Sequence, residues 1–332
     1  MALSNALATL WADRALIQLE KELIYGSPLV CNRDYEGLVQ NQGEAVNIVG
    51  VYDPIVAAYS QDTDLSLEAL TDFKKTLTLN QADSYAFAID DIQTVQSTPK
   101  LMPQAMVRAA YKLADKADKY VAGQVFAAAG ASATDTNFTS PAVLGTTGAP
   151  IAISPAAFTD PTSGEAAYEW LVDLGVALDQ NAVPRVDRYV IVPPWFAGML
   201  SKDLRFSGYE GYGSGTVLTD GFAAQPGKNG FAGSVAGFNV VVSLNVPTGS
   251  FTTPTSASPY LGTDGASATY YEVVAGVPSA ITFANQIVQT EAFRPQLRFS
   301  NAVKGLHVYG VEAIWPERIV GGYIAQGTTA TH

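Results

Sequence analysis

Cysteine occurs once, at Cys31, in a chain of 332 residues, which excludes an internal disulfide and any cage of cysteines around zinc. Histidine is nearly as scarce, with two copies. His332 is the last residue, and His307 falls within a strand pattern, where a solvated or hydrogen-bonded imidazole is expected rather than a catalytic one. Charge is sparse: Asp, Glu, Lys and Arg make up 15% of the chain, against about 25% in ordinary soluble proteins. A low-charge exterior fits a surface that meets other protein over much of its extent. Basic residues are the scarcer kind, with 19 Lys and Arg against 31 Asp and Glu and a net charge of -12, which argues against binding nucleic acid by neutralising phosphates. No apolar run approaches the roughly 18 residues of a membrane span. The opening Met1-Ala-Leu-Ser-Asn-Ala-Leu-Ala has neither a basic start nor an apolar signal core, so we expect no export by that route.

What is present is core-forming material. Hydrophobic residues make up 48% of the chain, which rules out wholesale disorder, and the length sets a soft prior of two domains. The charge is unevenly spread. Residues 44–92 carry 2 basic and 9 acidic side chains, whereas residues 93–130 carry 5 basic and 2 acidic. Such runs serve either as solvated faces or as complementary surfaces on different copies, with the acidic segment of one copy lying on the basic element of another.

The hydrophobic periodicity sets out an order of elements. Residues 4–24 predict an amphipathic helix, with Leu7, Leu10, Trp11, Leu16, Leu19 and Leu23 on one stripe, stopped by Tyr25-Gly26-Ser27-Pro28. Residues 44–92 predict a long two-stranded arm, rising through Val46–Tyr59, turning over an acidic tip at 60–72 and returning through Lys74–Asn80 and Tyr85–Ile92. An isolated hairpin is marginal in water, so this one needs a surface to rest on. Pro103 opens a long helix running to about Ala129, with Met106, Ala110, Leu113, Ala117, Tyr120 and Val125 on its apolar stripe and Asp115 placed to pair with Lys119. A second helix is predicted over 163–181, a buried strand over 187–192, and a short helix at 195–200. Nine glycines between 207 and 237 predict an exposed loop. Strands follow at 238–243, 270–274 and 280–283, and two more at 287–293 and 306–314 are expected to be linked through Arg294-Pro295 and a turn at Lys304-Gly305.

The chemical motifs are weak. Gly211-Tyr-Gly213-Ser-Gly215 follows no strand of a βαβ unit and opens no helix, and Gly227-Lys228 lacks the upstream glycine of a phosphate-binding loop. Asp90-Asp91 has no partner cluster and reads as an exposed strand end. Cys31 has no base nearby in sequence and is expected to be a buried thiol. Asn137-Phe-Thr139 is a glycosylation pattern, which we expect to have no consequence because no export is expected. We therefore expect no enzyme activity, cofactor or metal.

The order of elements resembles the major capsid proteins of tailed double-stranded DNA bacteriophages, the Hong Kong 97 type fold. Three stretches carry the likeness. They are Leu77-Thr-Leu-Asn-Gln-Ala-Asp-Ser-Tyr-Ala-Phe-Ala-Ile-Asp90 as the returning strand of the extended loop, Arg188-Tyr-Val-Ile-Val-Pro-Pro194 as an axial-domain strand, and Phe293-Arg-Pro-Gln-Leu-Arg-Phe299 through Trp315-Pro316 as closing strands. The resemblance implies an α+β fold with an N-terminal arm (1–40), an extended loop (41–95), a peripheral domain (96–164 and 285–327) and an axial domain (165–284). Neither a long charged coiled coil ahead of the arm nor an inserted domain within 165–284 is apparent, and no lysine is assignable to a cross-link.

The function implied is self-assembly into the hexamers and pentamers of an icosahedral head that encloses DNA without reading its sequence. Portal, scaffolding and cement or decoration proteins would be the further partners, with no membrane. Assembly would take place in the host bacterial cytoplasm and the product would reside in the virion. The expected contacts between copies are Asp62, Asp64, Glu68 and Asp72 on the arm, Lys112 and Lys116 on the long helix, Tyr209 and Tyr212 in the glycine-rich loop, and Arg294 and Arg298 by the closing strands. The alternatives are an encapsulin-like nanocompartment shell, a tail or surface protein forming tubes or fibres, and an enzyme with an unrecognised carboxylate site.

Overall fold

The computed structural model describes residues 24–35, 45–51, 54–56, 58, 61, 64, 67–90, 101–130, 143–153, 165–202, 231–252, 267–296 and 299–327. The helix expected over 4–24 and most of the glycine-rich stretch lie outside these residues. Within them the chain is a mixed fold of few helices and many strands, the α+β class that the element order predicts.

The expected hairpin forms, from β1 (Ala45–Val51) and β2 (Asp72–Thr78), paired antiparallel from Ala45 opposite Thr78 to Val51 opposite Asp72. It is shorter than the sequence reading. The segment Gln81–Asp90, taken there as part of the returning arm, is a separate strand, β3. β3 pairs with β12 (Ser300–Ala313), which pairs in turn with β11 (Ile281–Phe293), making a three-stranded antiparallel sheet. Period-two patterning marks a strand but not its partner, and the three residues after Leu77 carry the chain from one sheet to another. The turn expected at Lys304-Gly305 is likewise absent. Both residues pair inside β12, and the Tyr85 ring of β3 covers the space where a Gly305 side chain would stand.

The larger sheet has eight strands. Its path is β4 (Val143–Leu144), β13 (Ile319–Gln326), β10 (Ser267–Gly276), β6 (Tyr189–Val192), β8 (Phe238–Val242) and β7 (Phe231–Val235), with β5 (Ile151–Ile153) also on β13 and β9 (Thr248–Thr252) also on β10. β6 is buried at all four positions, as a continuous Tyr-Val-Ile-Val run requires. Phe231–Val235, expected as loop, is an edge strand. The sheet also crosses the borders drawn in sequence, because β4, β5 and β13 join strands of the 165–284 segment.

Helices cover both faces of this sheet. α1 (Leu101–Ala129) is 29 residues, about 43 Å long at 1.5 Å per residue; α2 (Ala167–Gln180) and α3 (Pro194–Lys202) follow. Adjacent strand residues point to opposite faces, and β13 uses this with two glycines. Phe126 and Ala129 of α1 fill the side-chain space of Gly321, while Trp170 of α2 fills that of Gly322. α2 starts at Ala167, later than predicted, with no side-chain cap. The stripe of α1 is buried only in its second half, through Ala117, Val121, Ala122, Val125 and Phe126, whereas Met106 and Val107 are exposed.

Two strands cross together from one sheet to the other. β10 passes through a single turn at Pro278–Ala280 into β11, and β12 passes through Pro316–Arg318 into β13. The crossing is tied by the Ala280 carbonyl, which accepts from the Ile314 and Trp315 amides at 2.9 and 3.1 Å.

Candidate assembly surfaces

The hairpin has little cover within its own chain. Leu77 is buried against Ala284 at its root, and Phe73 meets Trp315 edge-on at 5.3 Å. Val46 and Ile48 are half-buried beside Leu77, whereas toward the tip the side chains stand in solvent, with Ile55 78%, Val56 94%, Leu67 96% and Leu70 68% exposed. The end of the arm is fastened by the Ile55 amide donating to Glu68 Oε2 at 2.8 Å. Asp64, Glu68 and Asp72 are all exposed, so the arm combines uncovered aliphatic side chains with negative charge. Large apolar side chains gathered on one projection mark an interaction surface.

The predicted contacts on α1 divide. Lys112 is exposed, with no ion-pair partner among the described residues. Lys116, also exposed, pairs with Asp83 of β3 in its own chain. Asp83 also accepts the Tyr309 hydroxyl at 2.7 Å. Partial burial pushes its pKa up, but these hydrogen bonds and the Lys116 charge outweigh that and hold it below the usual carboxylate value. The Asp115–Lys119 pair forms at 3.1 Å, as the spacing predicts. Arg294 is exposed just past the end of β11, and Phe299 is exposed just before β12. Asp62, Tyr209, Tyr212 and Arg298 lie outside the described residues.

Buried polar contacts that the sequence analysis did not single out tie distant parts of the chain together. Asp118 of α1 accepts the Gly26 amide at 3.1 Å and the Asn245 side-chain amide at 2.6 Å, and Asn245 also reaches Asp115 at 3.2 Å. One carboxylate thus joins the long helix, the segment 24–26 and the loop after β8. Burial raises the Asp118 pKa, and the hydrogen bonds from Asn245 and from the amides of residues 24–26 offset part of the rise. Arg188 is buried just before β6, donating to Asp179 at 2.7 Å and to the Val183 and Pro184 carbonyls at 2.6 and 3.0 Å. The opposite charges at 179, 185 and 188 were the available signal for this last group.

Reactive groups are few. Cys31 is buried, its thiol donating to the Tyr25 carbonyl, and burial pushes its pKa far up. Asp90 is exposed at the end of β3. No group of three or more potential metal ligands occurs among the described residues, and none of the described helices is long and apolar enough to cross a membrane.

The same architecture recurs in solved phage structures. A chain from Mycobacterium phage Che8 matches with a TM-score of 0.66 and 26% identity, covering 96% of this chain and 98% of that one. The capsid structure of Cyanophage P-SCSP1u matches at 0.69 and 17% identity, covering 97% and 94%. The capsid of Ralstonia phage GP4 matches at 0.63 and 11% identity, covering 100% and 98%. The fold is therefore that of phage capsids of the Hong Kong 97 type. Residues 74–320 match the model of the phage capsid protein family, a span that takes in the three-stranded sheet, all three helices and the eight-stranded sheet apart from most of β13; the chain belongs to that family, and is a structural coat protein of a bacteriophage capsid. No curated protein matches it.

Proposed function

We propose that copies of this chain assemble into hexamers and pentamers that close an icosahedral head around packaged double-stranded DNA. The observation that carries the reading is the hairpin, whose aliphatic side chains are 68–96% exposed at four positions among the described residues, where a neighbouring copy would cover them. In this reading residues 41–80 are an extended loop lying on a neighbouring copy, α1 and the three-stranded sheet form the peripheral domain, and the eight-stranded sheet forms the axial domain. Tyr209 and Tyr212 meet their counterparts around the local symmetry axes, and Arg294 and Arg298 contact neighbours at the closing strands. The acidic net charge suits an interior along which DNA must slide, since a basic wall would hold it. Each exposed ion pair contributes about 1 kcal/mol or less, so stability comes from the number of contacts in a closed shell.

The test is electron microscopy of the purified full-length chain and of particles recovered from cells infected with its phage, the particles then treated with nuclease and extracted. Closed shells protecting double-stranded DNA are expected. Tubes or fibres, or shells loaded with an enzyme instead of DNA, would overturn the reading, as would a persistent monomer in both preparations.

A further inference from the structure

The apolar stripe of α1 is only half covered. Its second half is buried through Val121, Val125 and Phe126, but toward the N-terminus Met106 and Val107 are 37% and 63% exposed. Between them Ala110, Leu113, Ala114 and Ala117 form one wall of an open cavity of about 500 Å³, and Tyr85 and Phe283 of the three-stranded sheet form another. The polar groups on the lining are closed to an occupant. Arg33 Nε, His307 Nδ1 and the Ser27 hydroxyl are shielded even from water, and both carboxylate oxygens of Asp118 are engaged, by Gly26 and by Asn245. An apolar ridge is therefore what the groove accepts.

The chain itself enters at one end of this groove. Gly26, Ser27 and Pro28 line the cavity, Ile24 and Tyr25 are buried, and the amides of residues 24–26 bond to Asp118. The chain before Ile24 thus sets out from beside Asp118. Residues 4–23 lie outside the described residues, and their sequence predicts a helix with Trp11, Ala12, Ala15, Leu16, Leu19 and Leu23 toward one side. Helices side by side rise equally, about 1.5 Å per residue. Counting back twelve from Leu23 reaches Trp11, and counting back twelve from Asp118 reaches Met106, so the two uncovered apolar faces have the same length. The opposite course along α1 offers no free apolar surface, since the stripe there is already buried. The hairpin of the same chain cannot fill the groove. It is rooted against Ala284 and Gly310, whereas Phe283, Asn285 and His307 on the cavity wall belong to the other face of that sheet.

We propose that residues 4–23 dock as a helix alongside the first half of α1 of the same chain, with Leu16 and Leu19 in the cavity and Trp11 over Met106. A thioether against an indole ring is a favourable pair. The contact lies within one chain, so it stands or falls apart from shell assembly. The test is methyl NMR of the unassembled full-length chain with isotope-labelled methionine, of which there are four, Met106 being assigned with Met106→Leu. Arg14→Cys places a thiol on the outward side of the expected helix. A nitroxide goes there alone, because Cys31 is buried and burial pushes its pKa far up. The nitroxide is expected to broaden the Met106 resonance beyond detection and to spare Met199 of α3, a helix that packs with α2 through Trp170 and Phe196. Nitroxide-bearing chains without the isotope, mixed with isotope-labelled chains without the nitroxide, are expected to show no broadening. Leu16→Asp combined with Leu19→Asp should restore the Met106 signal, with an unchanged Met199 shift marking an intact fold. An unbroadened Met106 in the first sample, or broadening that survives the double substitution, would overturn the proposal. So would broadening in the mixture, which gives the groove to a second copy.

Discussion

Gly310 of β12 is the place where the hairpin is joined to the rest of the molecule, and its replacement by alanine is a sharp test of that joint. A Cβ at this position would stand 2.0 Å from the Thr78 carbonyl oxygen, 2.9 Å from its carbon and 3.1 Å from Leu79 Cα. An ordinary C···O contact is about 3.3 Å, so the chain at the end of β2 would have to retreat by more than 1 Å, on the order of a bond length. The obstructing atoms are backbone and cannot rotate aside. Retreat pulls on Leu77, which is fully buried against Ala284, and on the first pair of the β3–β12 ladder, Gln81 with Tyr309. Overpacking costs about 1–3 kcal/mol where side chains adjust, and we expect Gly310→Ala to reach about 3 kcal/mol, roughly a hundredfold in the folding equilibrium. Urea denaturation of the unassembled chain measures it as a shift in midpoint at unchanged slope. Gly123 of α1 is the control. It is exposed in a helix with nothing near its would-be Cβ, so Gly123→Ala is expected to stabilise by about 1 kcal/mol. A Gly310→Ala chain as stable as the wild type would refute the account of the joint.

Four further outcomes follow from the geometry. Trp170 is fully buried, edge-on to Phe196 at 5.5 Å and filling the space above Gly322; Trp170→Ala is expected to cost about 3–5 kcal/mol in the same denaturation assay. Arg188→Ala strips hydrogen bonds from Asp179 and two carbonyls and should cost about 2–3 kcal/mol, whereas Arg185→Ala, which removes a largely exposed partner of the same carboxylate, should leave the midpoint nearly where it is. Burial, with Asp173 and Glu169 nearby, pushes the Glu165 pKa up to about 7. Between its ordinary value near 4.5 and that point the unfolded chain has released a proton the folded chain keeps, so stability falls as pH rises across this window, and Glu165→Gln should flatten the slope of midpoint against pH. Neutralising Asp62, Asp64, Glu68 and Asp72 together, or raising salt, should weaken assembled shells as read by their dissociation midpoint; shells indifferent to both treatments would remove charge from the account of the arm.

Local pattern alone determined a good deal. The long helix after Pro103, the buried strand at 189–192, the short helix behind it and the hairpin with its acidic tip are each written in a run of neighbouring residues, because periodicity and chain-breaking residues act over one or two turns. The Asp115–Lys119 pair was legible for the same reason, and so was the bearing of low charge on a surface made to be covered.

Partners distant in sequence were decided only by the tertiary structure. β3 looks like a continuation of the hairpin until β12 takes it as an edge partner about 210 residues later, through Ser300 opposite Asp90. β13 belongs with β10 because Gly321 and Gly322 admit an aromatic ring from a helix on each face, a requirement no strand pattern displays. Asp118, unremarkable among the charges of α1, acquires its role from the backbone amide of Gly26 and the side chain of Asn245. Strand pairing and buried polar contacts depend on which surfaces meet, and that is set by packing the whole chain at once rather than by any stretch of it.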